Sequence, residues 1–198
     1  MKILLHQLLA IILIVSTSCS PKTTEKTDKN AQPNFVVVFI DDMGYGDIGT
    51  QGATGWTTPN LDKMAAEGMR FTNFYSAQPV CSASRAGLLT GCYPNRIGIS
   101  GALFPTDSVG INPNETTIAE MLKEKGYATA VFGKWHLGHH KEFLPLQHGF
   151  DEYVGVPYSN DMWPLDDVGN QLPEGHRRLS FPPLPIMNGN EPVEFVTD

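Results

Sequence analysis

The chain has little cysteine, a deficit of positive charge and no apolar run long enough to cross a bilayer, and each shortage excludes something. Three cysteines in 198 residues, Cys19, Cys81 and Cys92, do not make a disulfide framework. Cys92 reads as a small buried residue. Lys and Arg number 14 against 21 Asp and Glu, a net charge of −7, which argues against a nucleic acid held by bulk electrostatics. It does not exclude an anionic substrate, because a local field can oppose the net charge. The first apolar stretch falls short of the roughly 20 residues a spanning helix needs. The adjacent pair His139 and His140 has neither the i,i+4 spacing nor the third ligand of a zinc site. These two and His148 are read as loop residues.

What is present begins with M-K-I-L-L-H-Q-L-L-A-I-I-L-I-V-S-T-S-C, a positive start, an apolar run and a small-residue exit, which is an export signal. Cys19 after Ser16, Thr17 and Ser18 resembles a bacterial lipobox, with Ser16 where leucine is usual; simple secretion with an incidental cysteine is the other reading. Residues 20–33 are polar and charged, with two prolines, and suit a flexible tether. The resulting expectation is export to the bacterial periplasm or outer-membrane surface, with membrane contact only through a lipid anchor at Cys19.

From residue 34 the chain alternates strand-like and helix-like segments, the pattern of an α/β fold with a mainly parallel central sheet flanked by helices. N-F-V-V-V-F-I (34–40) is a continuous β-branched and aromatic run, which suits a strand buried on both faces. Asp41 and Asp42 follow it. Adjacent carboxylates beyond a strand end are either a solvated acidic turn or a site for a hard cation such as calcium or magnesium; Asp47 reads as a turn residue. T-T-P-N-L-D-K-M-A-A-E-G predicts a helix capped by Thr58 and ended by Gly68, with Leu61, Met64 and Ala65 as its apolar stripe. It delivers R-F-T-N-F-Y (70–75) as a strand, with Arg70 structural. In C-S-A-S-R-A-G-L-L-T-G (81–91) Cys81 and Arg85 stand four apart at a helix start, where dipole and guanidinium suit an anion. Spacing alone leaves an activated nucleophile and a buried helix-capping cysteine both open. Arg96 reads as an exposed structural arginine. Thr117 and Glu120 form a capping box for a helix reaching Gly126. Y-A-T-A-V-F-G (127–133) is the next buried strand, ending in G-K-W-H-L-G. Lys134 and His136, two apart in extended chain, face one side; a surface lysine beside a packed histidine is the alternative.

Taken together, C-S-A-S-R with A-G-L-L-T-G, D-D-M-G-Y-G-D after a strand, and G-K-W-H-L-G resemble the type I, formylglycine-dependent sulfatases of the alkaline phosphatase superfamily, arylsulfatase A-like. Ala83 stands where many members have proline, which bears on which maturation enzyme acts. The resemblance covers residues 34–165 and implies the following. Cys81 is oxidised to formylglycine by a formylglycine-generating or an anaerobic sulfatase-maturating enzyme and hydrated to a diol; one hydroxyl attacks sulfur and the other drives elimination of sulfate. Asp41, Asp42 and residue 81 ligate Ca2+ (or Mg2+). Arg85 fixes the diol, Lys134 bridges it to the sulfate, and His136 accepts a proton. Ser159 and Asn160, in V-P-Y-S-N-D-M-W-P, touch substrate.

Family members are more than twice as long as this chain, so residues 34–198 are read as the N-terminal, incomplete part of a catalytic domain. The remaining metal ligands, a second histidine and a leaving-group lysine are expected beyond Asp198, and the fragment alone is expected to be inactive. The implied substrate is a sulfated carbohydrate or aryl sulfate. A phosphodiesterase or phosphonate hydrolase of the same superfamily, and a non-catalytic glycan-binding lipoprotein, stay open as alternatives.

Overall fold

The structure, a computed structural model, describes residues 32–166 and 168–196. The export signal, Cys19 and nearly all of the tether lie outside the described residues. Two units divide at residue 40.

Of the first unit, residues 32–40 are described, and they are irregular rather than β. Val36 is 88% exposed, so the expected strand, buried on both faces, is not formed. A continuous apolar run specifies burial but not a partner, and a strand exists only where a neighbour completes its ladder.

The second unit starts at Asp41 and carries helices α1 (Pro59–Glu67), α2 (Cys81–Thr90) and α3 (Ile118–Lys123). Its strands are β1 (Ala130–Lys134), β2 (Glu152–Val156), β3 (Pro185–Asn188) and β4 (Glu191–Phe195). They form one sheet in the order β1-β2-β3-β4. The β1–β2 pair is parallel and the other two pairs are antiparallel. The α/β class stands, while the sheet among the described residues is mixed rather than mainly parallel. The β1–β2 crossover contains the 3-10 turns Lys141–Phe143 and Pro145–Gln147. Its length satisfies the dozen or more residues a parallel connection needs.

Local chemistry explains the elements that position the site. Thr117 Oγ1 accepts from Glu120 N at 3.2 Å and Glu120 Oε2 accepts from Thr117 N at 2.7 Å, the expected capping box. The helix it starts stops at Lys123, short of Gly126. α2 ends at Gly91, which takes φ 67°, a conformation glycine adopts without a Cβ clash. Trp135 and Leu137 flank His136 and are 2% and 0% exposed. Trp135 also donates its indole N–H to the Phe143 carbonyl at 2.7 Å and meets Phe150 edge-on. These two anchors fix the chain on either side of the histidine.

Other expectations change. The Thr58 side chain does not cap α1; its hydroxyl accepts from Gly49 N and donates to Asp62. α1 buries no residue, and Met64 is 69% exposed. Residues 70–75 form a turn and irregular chain, with Arg70 structural as expected, donating to the Thr50 carbonyl. β1 is an edge strand with Phe132 largely exposed, because an edge strand is covered on one side only. Cys92 is half-buried, Arg96 is exposed, and Asp47 closes a turn by accepting from Gly44 N.

Two measurements test this frame. Gly155 pairs with Gly133 across β1–β2, and a Cβ on Gly155 would lie 1.8 Å from the Gly133 carbonyl oxygen. Gly155→Ala is therefore expected to destabilise the protein by about 1–3 kcal/mol, read as a lower denaturation midpoint. Asp151 is held down to about 2 first by its hydrogen bond from Lys123, then by Thr129. A depressed carboxylate contributes stability above its unfolded value, lost as pH falls from 3.8 toward 2. Asp151→Asn should flatten the acid limb of the stability profile in that window and leave neutral pH little changed in slope.

Candidate active site

The site is built where the first turn of α2, the carboxyl end of β1 and the chain after β2 converge. α2 places Cys81 at its first position and Arg85 one turn later. Cys81 is a free, half-buried thiol, and no side chain caps the helix at Val80. Unprotected helix N–H groups suit an anion. Arg85 donates to the Lys134 carbonyl oxygen at 2.5 Å across 49 residues of sequence, tying α2 to the end of β1.

Asp41 is the shared counter-ion. Its carboxylate accepts a hydrogen bond from Lys134 Nζ and lies 3.6 Å from the Arg85 guanidinium. Partial burial alone would raise Asp41, but the Lys134 hydrogen bond and the two positive charges outweigh it and hold the carboxyl below its usual range. Lys134 Nζ also donates to the Ser159 hydroxyl at 3.0 Å, so the ammonium is gripped from two directions. The Lys134 and Arg85 side chains are each only 13% exposed. Two nearly buried cations beside Asp41 concentrate positive charge here, in a chain whose net charge is −7. Low-dielectric surroundings strengthen that field.

His136 joins the cluster by a route the sequence did not predict. Its φ is 61°, as Asp42's is 54°, and these are the two non-glycine residues with positive φ among the described residues. Residue 136 is therefore not in extended chain, and the i,i+2 argument for its facing fails. The ring nevertheless feels Lys134, Arg85 and Asp41. Backbone strain of this kind is held in place by surrounding contacts: here Trp135 N donates to Val156 O at 2.9 Å and His136 N to Pro157 O at 3.1 Å. Burial first, then the Lys134 and Arg85 charges, push the ring down to about 4. His136 is thus a neutral base at neutral pH.

Asp41, Cys81, Arg85, Lys134, His136 and Ser159 accordingly belong to one neighbourhood. Asp42 and Asn160 are exposed, and among the described residues neither has a hydrogen bond or ion pair to the cluster. No group of three His, Cys, Asp or Glu forms a metal cluster among the described residues. The donor chemistry at 41 and 42 nonetheless suits a hard cation, since adjacent carboxylate oxygens are what calcium and magnesium take. Calcium uses roughly six to eight oxygens, of which these acids supply a part. The His139 and His140 rings meet at a tilt, and His148 packs on Trp135, in keeping with their reading as loop residues.

Sequence reasoning missed Ser82 and Leu103. Ser82 is fully buried, and its hydroxyl accepts from Leu103 N at 3.0 Å, while the Leu103 carbonyl meets the His136 ring. Ser82 stood inside the quoted motif, but a partner in a loop 21 residues on leaves no periodic signal.

Comparison with known proteins bears on this geometry. A family model described as "Sulfatase" matches residues 33–191. The chain is 49% identical over 160 residues to arylsulfatase G of Mus musculus, covering 81% of this chain and 30% of that protein. It is 51% identical over 133 residues to the N-acetylgalactosamine-6-sulfatase of the same species, covering 63% and 26%. Among solved structures, a sulfatase from a study of glycosaminoglycan metabolism by Bacteroides thetaiotaomicron superposes with a TM-score of 0.62 at 32% identity, covering 77% of this chain and 30% of that one. A sulfatase from Pseudoalteromonas sp. gives 0.56 at 42% identity, covering 62% and 25%. The chain thus spans about 30% of the length of the first of these relatives. With a family match running through every segment that builds the cluster, the chain belongs to the sulfatase family.

Proposed function

We propose that the protein is a sulfuric ester hydrolase that removes sulfate from sulfated carbohydrate, with aryl sulfates as surrogate substrates. The observation that carries this reading is the pairing of Arg85 and Lys134, two nearly buried cations sharing Asp41, beside Cys81 at an uncapped helix start. A sulfate ester is a monoanion whose charge is spread over its three outer oxygens, and the leaving oxygen takes the electron pair as the S–O bond breaks. Preorganised cations in a dry site stabilise such charge most effectively. The naming of relatives as arylsulfatase and N-acetylgalactosamine-6-sulfatase supports the ester class and a sugar substrate.

Cys81 is proposed to mature to formylglycine, through a formylglycine-generating or an anaerobic maturating enzyme; its hydrate would supply the oxygen nucleophile that a thiol does not. A Ca2+ ion, or Mg2+, held by Asp41, Asp42 and the oxygen at position 81 would lower the pKa of that oxygen and collect charge on the sulfuryl group. The remaining steps belong to this chain's own side chains. Arg85, one turn from position 81, orients the nucleophilic group. Lys134, already bridging Asp41 and Ser159, turns its ammonium to a sulfuryl oxygen, and Ser159 donates beside it. His136, neutral at neutral pH, accepts a proton. Asn160 would reach substrate from the rim. Export and a lipid anchor at Cys19 are proposed with it, which would place the enzyme where polysaccharide is met.

The test compares kcat/KM for a sulfate ester and the phosphate ester of the same alcohol. A preference for sulfate, with a loss on the order of 10⁴-fold or more in Cys81→Ala, is expected. Faster phosphate hydrolysis, or glycan binding without hydrolysis that survives Cys81→Ala, would overturn the reading.

A further inference from the structure

The backbone of one residue, Leu103, makes two contacts at the site. Its N–H donates to the Ser82 hydroxyl at 3.0 Å, and its carbonyl lies 2.7 Å from His136 Nε2. Ser82 and His136 are both fully buried, so water competes for neither contact. Ser82 follows Cys81 directly in the first turn of α2. The Leu103 backbone therefore connects the residue next to the nucleophile position with the ring expected to act as base.

The chemistry of a carbonyl fixes the direction of the second bond. An oxygen acceptor requires Nε2 to carry the proton, and a neutral imidazole has only one. His136 Nδ1 is then left with its lone pair. That nitrogen is buried and has no hydrogen-bond partner among the described residues. Buried polar atoms are nearly always satisfied, so an exception in a charged cluster calls for a ligand atom. His148 makes a useful contrast. Its Nδ1 is also unpartnered and its Nε2 meets the Glu142 carbonyl at 3.2 Å, but it packs on Trp135 and feels neither Lys134 nor Arg85. What distinguishes His136 is its charged surroundings together with the link through residue 103 to residue 82.

We propose that Ser82 and the Leu103 backbone are positioning groups that hold His136 as its Nε2–H tautomer, so that Nδ1 is the atom that takes a proton from the hydroxyl at position 81. In that step the O–H bond breaks, its electron pair stays on oxygen, and the ring becomes an imidazolium with both nitrogens protonated; the proton then leaves to solvent. The inference rests on the sulfatase reading for the source of the proton, and not for the tautomer.

The experiment is 15N NMR on the full-length protein labelled at histidine, with the His136 signals assigned by their loss in His136→Gln. An unprotonated Nδ1 and a protonated Nε2 are expected at neutral pH. Ser82→Ala should give mixed tautomers and lower kcat about tenfold with KM nearly unchanged, while Ser82→Thr, which keeps the hydroxyl acceptor, should restore both. Mass spectrometry of residue 81 in each variant separates lost positioning from lost maturation. A wild-type ring protonated at Nδ1, or a fully matured Ser82→Ala with unchanged tautomer and kcat, would overturn the proposal. Should Ser82→Ala fail to fold, the wild-type tautomer and Ser82→Thr decide the matter. Absence of sulfate hydrolysis in the wild type would sink the function proposed above, and the tautomer measurement would still decide this one.

Discussion

The hydrogen bond from Arg85 to the Lys134 carbonyl, with Asp41 as the shared counter-ion, is the interaction on which the site depends. It joins a helix to the end of a strand 49 residues later, and it does so with groups that lose most of their hydration. Two cations at 13% exposure would be costly without compensation. Asp41 and the Ser159 hydroxyl are among the groups that compensate them, and the gathering of two cations is the property an anionic substrate would use.

Packing makes that arrangement possible. Trp135 and Leu137 sink into the core on either side of His136, and the bonds from 135 and 136 to the chain after β2 hold residue 136 at φ 61°. Gly155 lets β1 and β2 approach so closely that a Cβ at residue 155 would meet the Gly133 backbone. The lysine, the histidine and Ser159 are thereby positioned from one rigid parallel pair, which is the kind of support a precise site requires.

Part of this was legible in the sequence because it is local. The i,i+4 relation of Cys81 and Arg85 follows from helix geometry, the Thr117–Glu120 box from a four-residue pattern, and the strand ending at Lys134 from an apolar run stopped by a charge. What was not legible depends on partners distant in the chain. Residues 34–40 read as a buried strand because an apolar run predicts burial without saying against what. The extended-chain argument brought His136 to the right neighbourhood for the wrong reason, since a positive φ in a non-glycine residue is imposed by tertiary contacts. Ser82 was hidden because its importance lies in a hydrogen bond to the backbone of residue 103, and backbone partners have no side-chain signature. The unconnected positions of Asp42 and Asn160 were equally invisible to adjacency along the chain.

The central claim is that residue 81 is the reacting group, and the most direct measurement is mass spectrometry of the tryptic peptide 71–85 from protein made in its native host. The account predicts an aldehyde or its hydrate at position 81. An unmodified thiol there, in cells whose maturation enzyme is active, would contradict it.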